Sequence, residues 1–193
     1  MQYKFKTFNV CAGDCITLML KNKGKEIHVM VDCGNYKPEV DDYVTNVFHN
    51  HIDYLIVTHI DNDHINGLIS MLSSKLDLTI DHILYNCYQR TSDKLQEWDE
   101  KMVENVKRVY GRLPVVMDML EGKINEETSK TLAELILGNE NWKRAWRREY
   151  ITADTPKMEL GDDMGRVVFL SPTMEALDDL DKKVPSGIFA RWD

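Results

Sequence analysis

The sequence predicts an α/β protein, because segments typical of buried strands alternate with amphipathic helical segments between residues 26 and 85. Two short apolar runs, 53–58 and 80–85, have the composition of strands that are buried on both faces. Helical segments precede and separate these runs, since apolar residues recur there at every third or fourth position. The predicted order is therefore strand, helix, strand, helix, strand.

The N-terminal third predicts an antiparallel meander of three strands, because its segments are rich in β-branched and apolar residues. The strands are predicted at 3–10, 15–21 and 26–31. Turn-forming residues separate them, at Gly13-Asp14 and at Asn22-Lys23-Gly24.

Two amphipathic helices follow the meander. The first is predicted from Pro38 to Phe48, since proline is favoured at the first helical position. The second has its apolar face between Ile65 and Leu76. Further strands are predicted at 157–160 and 166–170, a short helix at about 171–180, and the start of another strand at 186–192.

Residues 91–150 are predicted to be mainly helical and to form an insertion or lid on the α/β frame of a single domain, 1–193. Within this segment, Trp142 and Trp146 lie one helical turn apart among basic residues. Both tryptophans are predicted to pack inward. The alternative is a nucleic-acid contact made by aromatic stacking and arginine.

The composition limits the classes of function. A net charge of −8 and a pI of about 5.3 argue against broad, nonspecific binding to nucleic acid, although a local basic patch is compatible with them. No apolar run approaches the ~18 residues that cross a membrane, and no secretory signal is recognisable. We therefore expect a cytoplasmic protein with no membrane association. Its four cysteines are expected to be reduced, because they form neither a zinc pattern nor a disulfide scaffold.

One segment concentrates side chains that can bind a metal. It contains His59, Asp61, Asp63 and His64 within six residues, between a predicted buried strand and a predicted helix. Imidazole nitrogens and carboxylate oxygens suit first-row divalent metals. The spacing predicts two pairs of ligands, which suits one or two ions. Such a site can supply hydroxide near neutral pH for hydrolysis.

This segment has two alternative interpretations. In the first, Asp61 or Asp63 only caps the following helix. The second is an EF-hand calcium loop, which fails because Ile65 stands where an oxygen ligand is needed and Leu72 where the bidentate acid is needed. The remaining histidines are predicted to be structural: His28, His49, His51 and His82.

The motif His59-x-Asp61-x-Asp63-His64 resembles the metal-binding motif of the metallo-β-lactamase-fold hydrolases. Two further segments resemble that family: Val31-Asp32-Cys33-Gly34 is similar to its strand-ending Asp-x-Gly, and 8–14 is similar to the opening strand and turn of the branch related to the DNA-uptake competence channel. Residues 169–172 also fit that branch. The resemblance covers 3–85 and 158–192, and it implies an αβ/βα sandwich of two sheets.

The resemblance also implies roles for individual residues. His59 and Asp61 would bind the first metal, and Asp63, the candidate catalytic residue, would bind the second together with His64. Asp32 would orient a metal ligand. Asp14 is a candidate for a similar supporting role, with a plain turn residue as its alternative.

The motif differs from the commoner family pattern in one position, because Asp61 stands where many members have a second histidine. An additional carboxylate favours harder ions, so manganese or magnesium becomes a rival to zinc.

The implied function is metal-dependent hydrolysis of a phosphodiester or nucleic-acid-like substrate. The family takes further ligands from a second half, whereas no histidine follows His82 here. The chain is therefore expected to be only the N-terminal half of such a domain. It would be completed by downstream residues or a partner subunit, or it would form homo-oligomers through an exposed sheet face. The alternative is a catalytically incomplete half-domain that serves as a binding or assembly module.

Overall fold

A mixed five-stranded sheet forms the frame of the protein. The structure, a computed structural model, describes residues 1–75, 77–86, 126–146, 150–161 and 163–183. The strands lie in chain order: β1 (Gln2–Thr7), β2 (Ile16–Asn22), β3 (Lys25–Val31), β4 (His51–Val57) and β5 (Thr79–Tyr85). The first three strands are antiparallel, and β3, β4 and β5 are parallel. The predicted α/β class and the predicted meander are therefore confirmed.

Helices form the second layer. The parallel strands are connected by α1 (Pro38–Asn46) and α2 (Asn62–Ser74), and the described part of the chain continues with α3 (Glu126–Gly138) and α4 (Glu140–Ala145). All four helices contribute buried side chains to one core with the sheet, for example Val44, Leu68, Leu132 and Trp142. Helix α1 begins at Pro38, so the predicted start of that helix is confirmed.

Both tryptophans of the C-terminal helical segment pack inward, as predicted. The indole Nε1 of Trp142 donates to the Leu78 carbonyl at 2.7 Å, and that of Trp146 donates to the Tyr85 carbonyl at 3.1 Å. Both rings are buried, so neither is available for stacking on a base. The described part of the predicted insertion thus packs directly on β5. Residues 91–125 of the insertion, with Arg147 and Arg148, lie outside the described residues, and so does Cys87 before it.

Among the described residues, the other face of the sheet packs against a short hairpin instead of helices. A short hairpin of β6 (Met158–Glu159) and β7 (Arg166–Val167) contributes Met164 to a second cluster with Leu20, Val29 and Tyr54. The longer strands predicted here are wrong, since only two residues pair on each side. The chain then forms α5 (Met174–Lys183), and the strand predicted at 186–192 lies outside the described residues.

Part of this second face is uncovered over β1. The register aligns Phe5, Leu18, Val29 and Tyr54 across four strands, so these side chains share a face. Phe5 is 61% exposed and Tyr3, on the same side of β1, is 73% exposed. An apolar row therefore runs from the buried sheet centre to an exposed edge strand.

Two further features are the length of the described helices and the state of the described cysteines. Among the helices that the structure describes, none combines the length and apolar character needed to cross a bilayer. Cys15 and Cys33 are buried, Cys11 is exposed, and all three are free thiols.

Candidate metal site

The parallel arrangement of β3 and β4 brings distant residues to one edge of the sheet. Both strands end at this edge, so Asp32, directly after β3, meets Thr58 and His59, directly after β4. Helix α2 begins at Asn62 beside them. Two backbone hydrogen bonds tie the helix to the end of β3, from Cys33 N to the His64 carbonyl and from Gly67 N to the Cys33 carbonyl, both at 2.8 Å.

Asp32 is the buried centre of the site, with 1% of its surface exposed. Its Oδ1 accepts a hydrogen bond from Thr58 N at 2.8 Å, and its Oδ2 accepts one from the Thr58 hydroxyl and one from His64 Nδ1 at 2.8 Å. Three donors offset the cost of burying a carboxylate. Its φ of 53° lies in the left-handed region, which Asp tolerates better than most residues.

This network fixes the orientation of two imidazole rings. His64 Nδ1 donates to Asp32, which leaves His64 Nε2 with its lone pair. The Thr58 hydroxyl donates its single hydrogen bond to Asp32, so it accepts one from His59 Nδ1 at 2.8 Å, and His59 Nε2 also keeps its lone pair. The two ring centroids are 3.7 Å apart. Both histidines thus present the nitrogen that can bind a metal.

Each histidine is accompanied by one carboxylate. His59 Nε2 lies 3.5 Å from Asp61 Oδ2, and His64 Nε2 lies 3.7 Å from Asp63 Oδ2. The structure therefore brings together the residues that the sequence pairs. Asp61 occupies the N-cap position of α2, but its side chain makes no capping hydrogen bond. The capping alternative for Asp61 is therefore wrong.

This group of residues can hold a divalent ion. Asp32, His59 and His64 each offer an atom, and these atoms lie within 4.8 Å of one another. Because both Asp32 oxygens already accept hydrogen bonds, Asp32 is better suited to orient His64 than to bind metal. The hydrogen bond with Cys15 and burial raise the pKa of the nearby Cys33 thiol well above its ordinary value.

The segment before β2 packs against the site without contributing a clear ligand. Its Gly13 approaches Asp63 so closely that a Cβ at this position would lie 1.6 Å from the Asp63 carbonyl oxygen. Asp14 is exposed, and its backbone carbonyl accepts from Gly34 N at 2.9 Å. A supporting role of the Asp14 side chain stays a prediction.

Sequence reasoning missed Thr58, whose hydroxyl connects Asp32 with His59. The signal available in the sequence was its position between the strand and His59. It also missed a second group, His51, Asp53 and Asp81, whose ligand atoms lie within 4.8 Å of one another.

The sequence matches no family model, and no curated protein is significantly similar to it. The class of the protein is thus defined by its own structure. It is a mixed α/β protein with groups of His and Asp residues that can hold a metal ion.

Proposed function

We propose that the protein is a metal-dependent hydrolase of the metallo-β-lactamase type that acts on a phosphodiester or nucleic-acid-like substrate. One observation carries this proposal: the Asp32–Thr58 network leaves the Nε2 atoms of His59 and His64 free, each with a carboxylate within 4 Å. Fixed tautomers and rigid ring positions are typical of metal-binding histidines.

The residues present fit one or two divalent ions. His59 and Asp61 would hold one, and Asp63 and His64 the other. A bound divalent ion supplies Lewis acidity and a nucleophile near neutral pH. The chain's own contribution is to orient both histidine rings through Asp32 and Thr58. Nitrogen and carboxylate ligands in equal number suit zinc or manganese.

The substrate class rests on the two carboxylates of the ligand set and on the motif's resemblance to the competence-related branch, which is an argument by analogy. The net charge of −8 gives no support to nonspecific nucleic-acid binding. A small phosphodiester is therefore the first substrate to test.

The metal content of the purified protein tests the site directly. Protein prepared without added metal and then dialysed against Zn²⁺ or Mn²⁺ is expected to retain the ion. The His59→Ala/His64→Ala variant is expected to lose the ion bound at this site, because it lacks both free Nε2 atoms. His82→Ala, which removes an exposed histidine on β5, is the control. Equal metal content in the double variant and the unchanged protein would contradict the assignment.

An assay with bis(p-nitrophenyl) phosphate in the presence of Mn²⁺ tests the reaction. Hydrolysis that disappears in the double variant and persists in His82→Ala would support the enzyme. Metal binding without any hydrolysis would favour a second candidate function, a binding or assembly module.

That second candidate is a binding or assembly module. The exposed apolar row of β1 favours it, since apolar patches on soluble proteins commonly mark an interface. The partner would be a subunit that completes the domain or a second copy of the chain.

Light scattering tests the self-association form of this candidate. The protein is expected to exceed the monomer mass of 22.5 kDa, and Tyr3→Lys/Phe5→Lys is expected to return it to a monomer by charging the apolar row. Asn46→Lys/Ser70→Lys adds the same charges at exposed positions on α1 and α2 and is the control. A monodisperse monomer that binds no apolar dye would count against any interface at this face.

A further inference from the structure

A second group of metal-binding side chains lies at the other end of the sheet. His51 is the first residue of β4, and Asp53 follows two residues later. Asp81 lies near the start of the parallel neighbour β5, whose Ile80 pairs with Ile52. The candidate metal site follows the opposite end of β4, which is about 20 Å away at ~3.3 Å per residue. The two groups are therefore separate.

The geometry of this group is compatible with a bound metal ion. His51 Nε2 lies 2.9 Å from Asp81 Oδ2, and one atom each from His51, Asp53 and Asp81 lies within 4.8 Å of the others. One imidazole nitrogen and two carboxylate oxygens from three side chains form a donor set that suits borderline first-row ions such as Zn²⁺.

The backbone and a buried histidine position this group. Asp53 Oδ2 accepts the His28 backbone N–H at 2.7 Å, which fixes the carboxylate. The His51 carbonyl lies 3.1 Å from His28 Nδ1, and His51 N donates to the Phe48 carbonyl at 2.9 Å. The His28 ring is buried against Phe48, and its Nε2 has no hydrogen-bond partner among the described residues. The supporting residues of the group are thus rigid parts of the sheet.

The charges of the group are poorly balanced. Two carboxylates on adjacent strands repel each other. Among the described residues, no lysine or arginine forms an ion pair with Asp53 or Asp81, and the nearby Glu26 is already paired with Lys21. Burial and the charges of both aspartates raise the pKa of Tyr54, which reflects the excess of negative charge. A divalent cation would neutralise both carboxylates.

We propose that His51, Asp53 and Asp81 form a second divalent-metal site, which takes Zn²⁺ or a similar first-row ion and fastens β4 to β5. The sequence predicted a structural role for His51 near the end of the first helix. The structure instead places it on β4, beside the carboxylate of Asp81.

The experiment uses the full chain with His59→Ala/His64→Ala, so that the first site does not contribute. Zinc titration of this variant is expected to saturate at one ion and to raise its melting temperature by about 5–10 °C at a Zn²⁺ concentration ~100 times the dissociation constant. Adding His51→Ala, or the milder Asp81→Asn, is expected to weaken zinc binding by at least about tenfold. His49→Asn is the matched control, because His49 is exposed and its φ of 54° is tolerated by Asn.

Nuclear magnetic resonance of the His51 ring keeps the test decisive if a variant fails to fold. Zinc added to the His59→Ala/His64→Ala protein is expected to shift the His51 Nε2 signal. No bound zinc in this protein, zinc binding unchanged by both cluster variants, or an unshifted His51 signal would each overturn the second site. None of these results bears on the first site.

Discussion

Replacing Asp32 with alanine is expected to lower the free energy of unfolding by about 3–5 kcal/mol and to abolish metal binding at the first site. The variant leaves three hydrogen-bond donors without their acceptor, namely Thr58 N, the Thr58 hydroxyl and His64 Nδ1. Urea denaturation measures the stability, and Zn²⁺ titration measures the affinity. Asp42→Ala, an exposed position on α1, is the control and is expected to change the stability by less than about 0.5 kcal/mol.

The Asp32→Asn variant separates orientation from folding. Asparagine keeps the shape and an acceptor for Thr58 N, but its amide group then faces the Nδ1 proton of His64. We expect His64 to move its proton to Nε2, which removes the lone pair needed for the metal. The zinc affinity should fall by about 10–100-fold with a smaller loss of stability than in Asp32→Ala. If both variants bind zinc as the unchanged protein does, Asp32 does not orient the site.

Replacing Gly13 with alanine is also expected to have a large effect. It should lower the free energy of unfolding by about 2–5 kcal/mol. The new Cβ would lie 1.6 Å from the Asp63 carbonyl oxygen, so overpacking adds about 1–3 kcal/mol to the ~1–2 kcal/mol cost of a left-handed conformation. The loop must move away, and Asp63 with it. Metal affinity is therefore expected to fall together with stability.

Gly24→Ala is the matched control for this prediction. Gly24 has a φ of 83°, close to the 71° of Gly13, but nothing lies within 4 Å of its added Cβ. The loss of stability in Gly24→Ala should therefore reflect the backbone conformation alone, at about 1–2 kcal/mol, and metal binding should be unchanged. Equal losses for the two variants would show that the contact between Gly13 and Asp63 does not constrain the site.

The main elements and the clustering of the candidate ligands could be predicted because their signals are local. The period of apolar residues is a property of neighbouring positions, so the α/β order and the start of α1 at Pro38 follow from the sequence. His59, Asp61, Asp63 and His64 lie within six residues at a strand-to-helix junction, so their proximity is almost unavoidable. The pairing of His59 with Asp61 and of His64 with Asp63 needs little tertiary information.

Local signals were insufficient where strand length or a side-chain contact depends on the rest of the fold. The segments at 157–160 and 166–170 have the composition of strands, but only two residues of each pair, since strand length depends on available neighbours. His51 and Asp81 are 30 residues apart, and the register of two parallel strands brings them together.

The sequence by itself therefore determined the class of the fold and the clustering of His59, Asp61, Asp63 and His64, because periodicity and short spacing are sufficient for both. The tertiary structure decided which nitrogen of His59 and His64 is free. That choice depends on Asp32, which reaches the site from a neighbouring strand 26 residues before Thr58. Only the folded sheet brings this carboxylate, the Thr58 hydroxyl and His64 into contact, and its burial makes their hydrogen bonds obligatory.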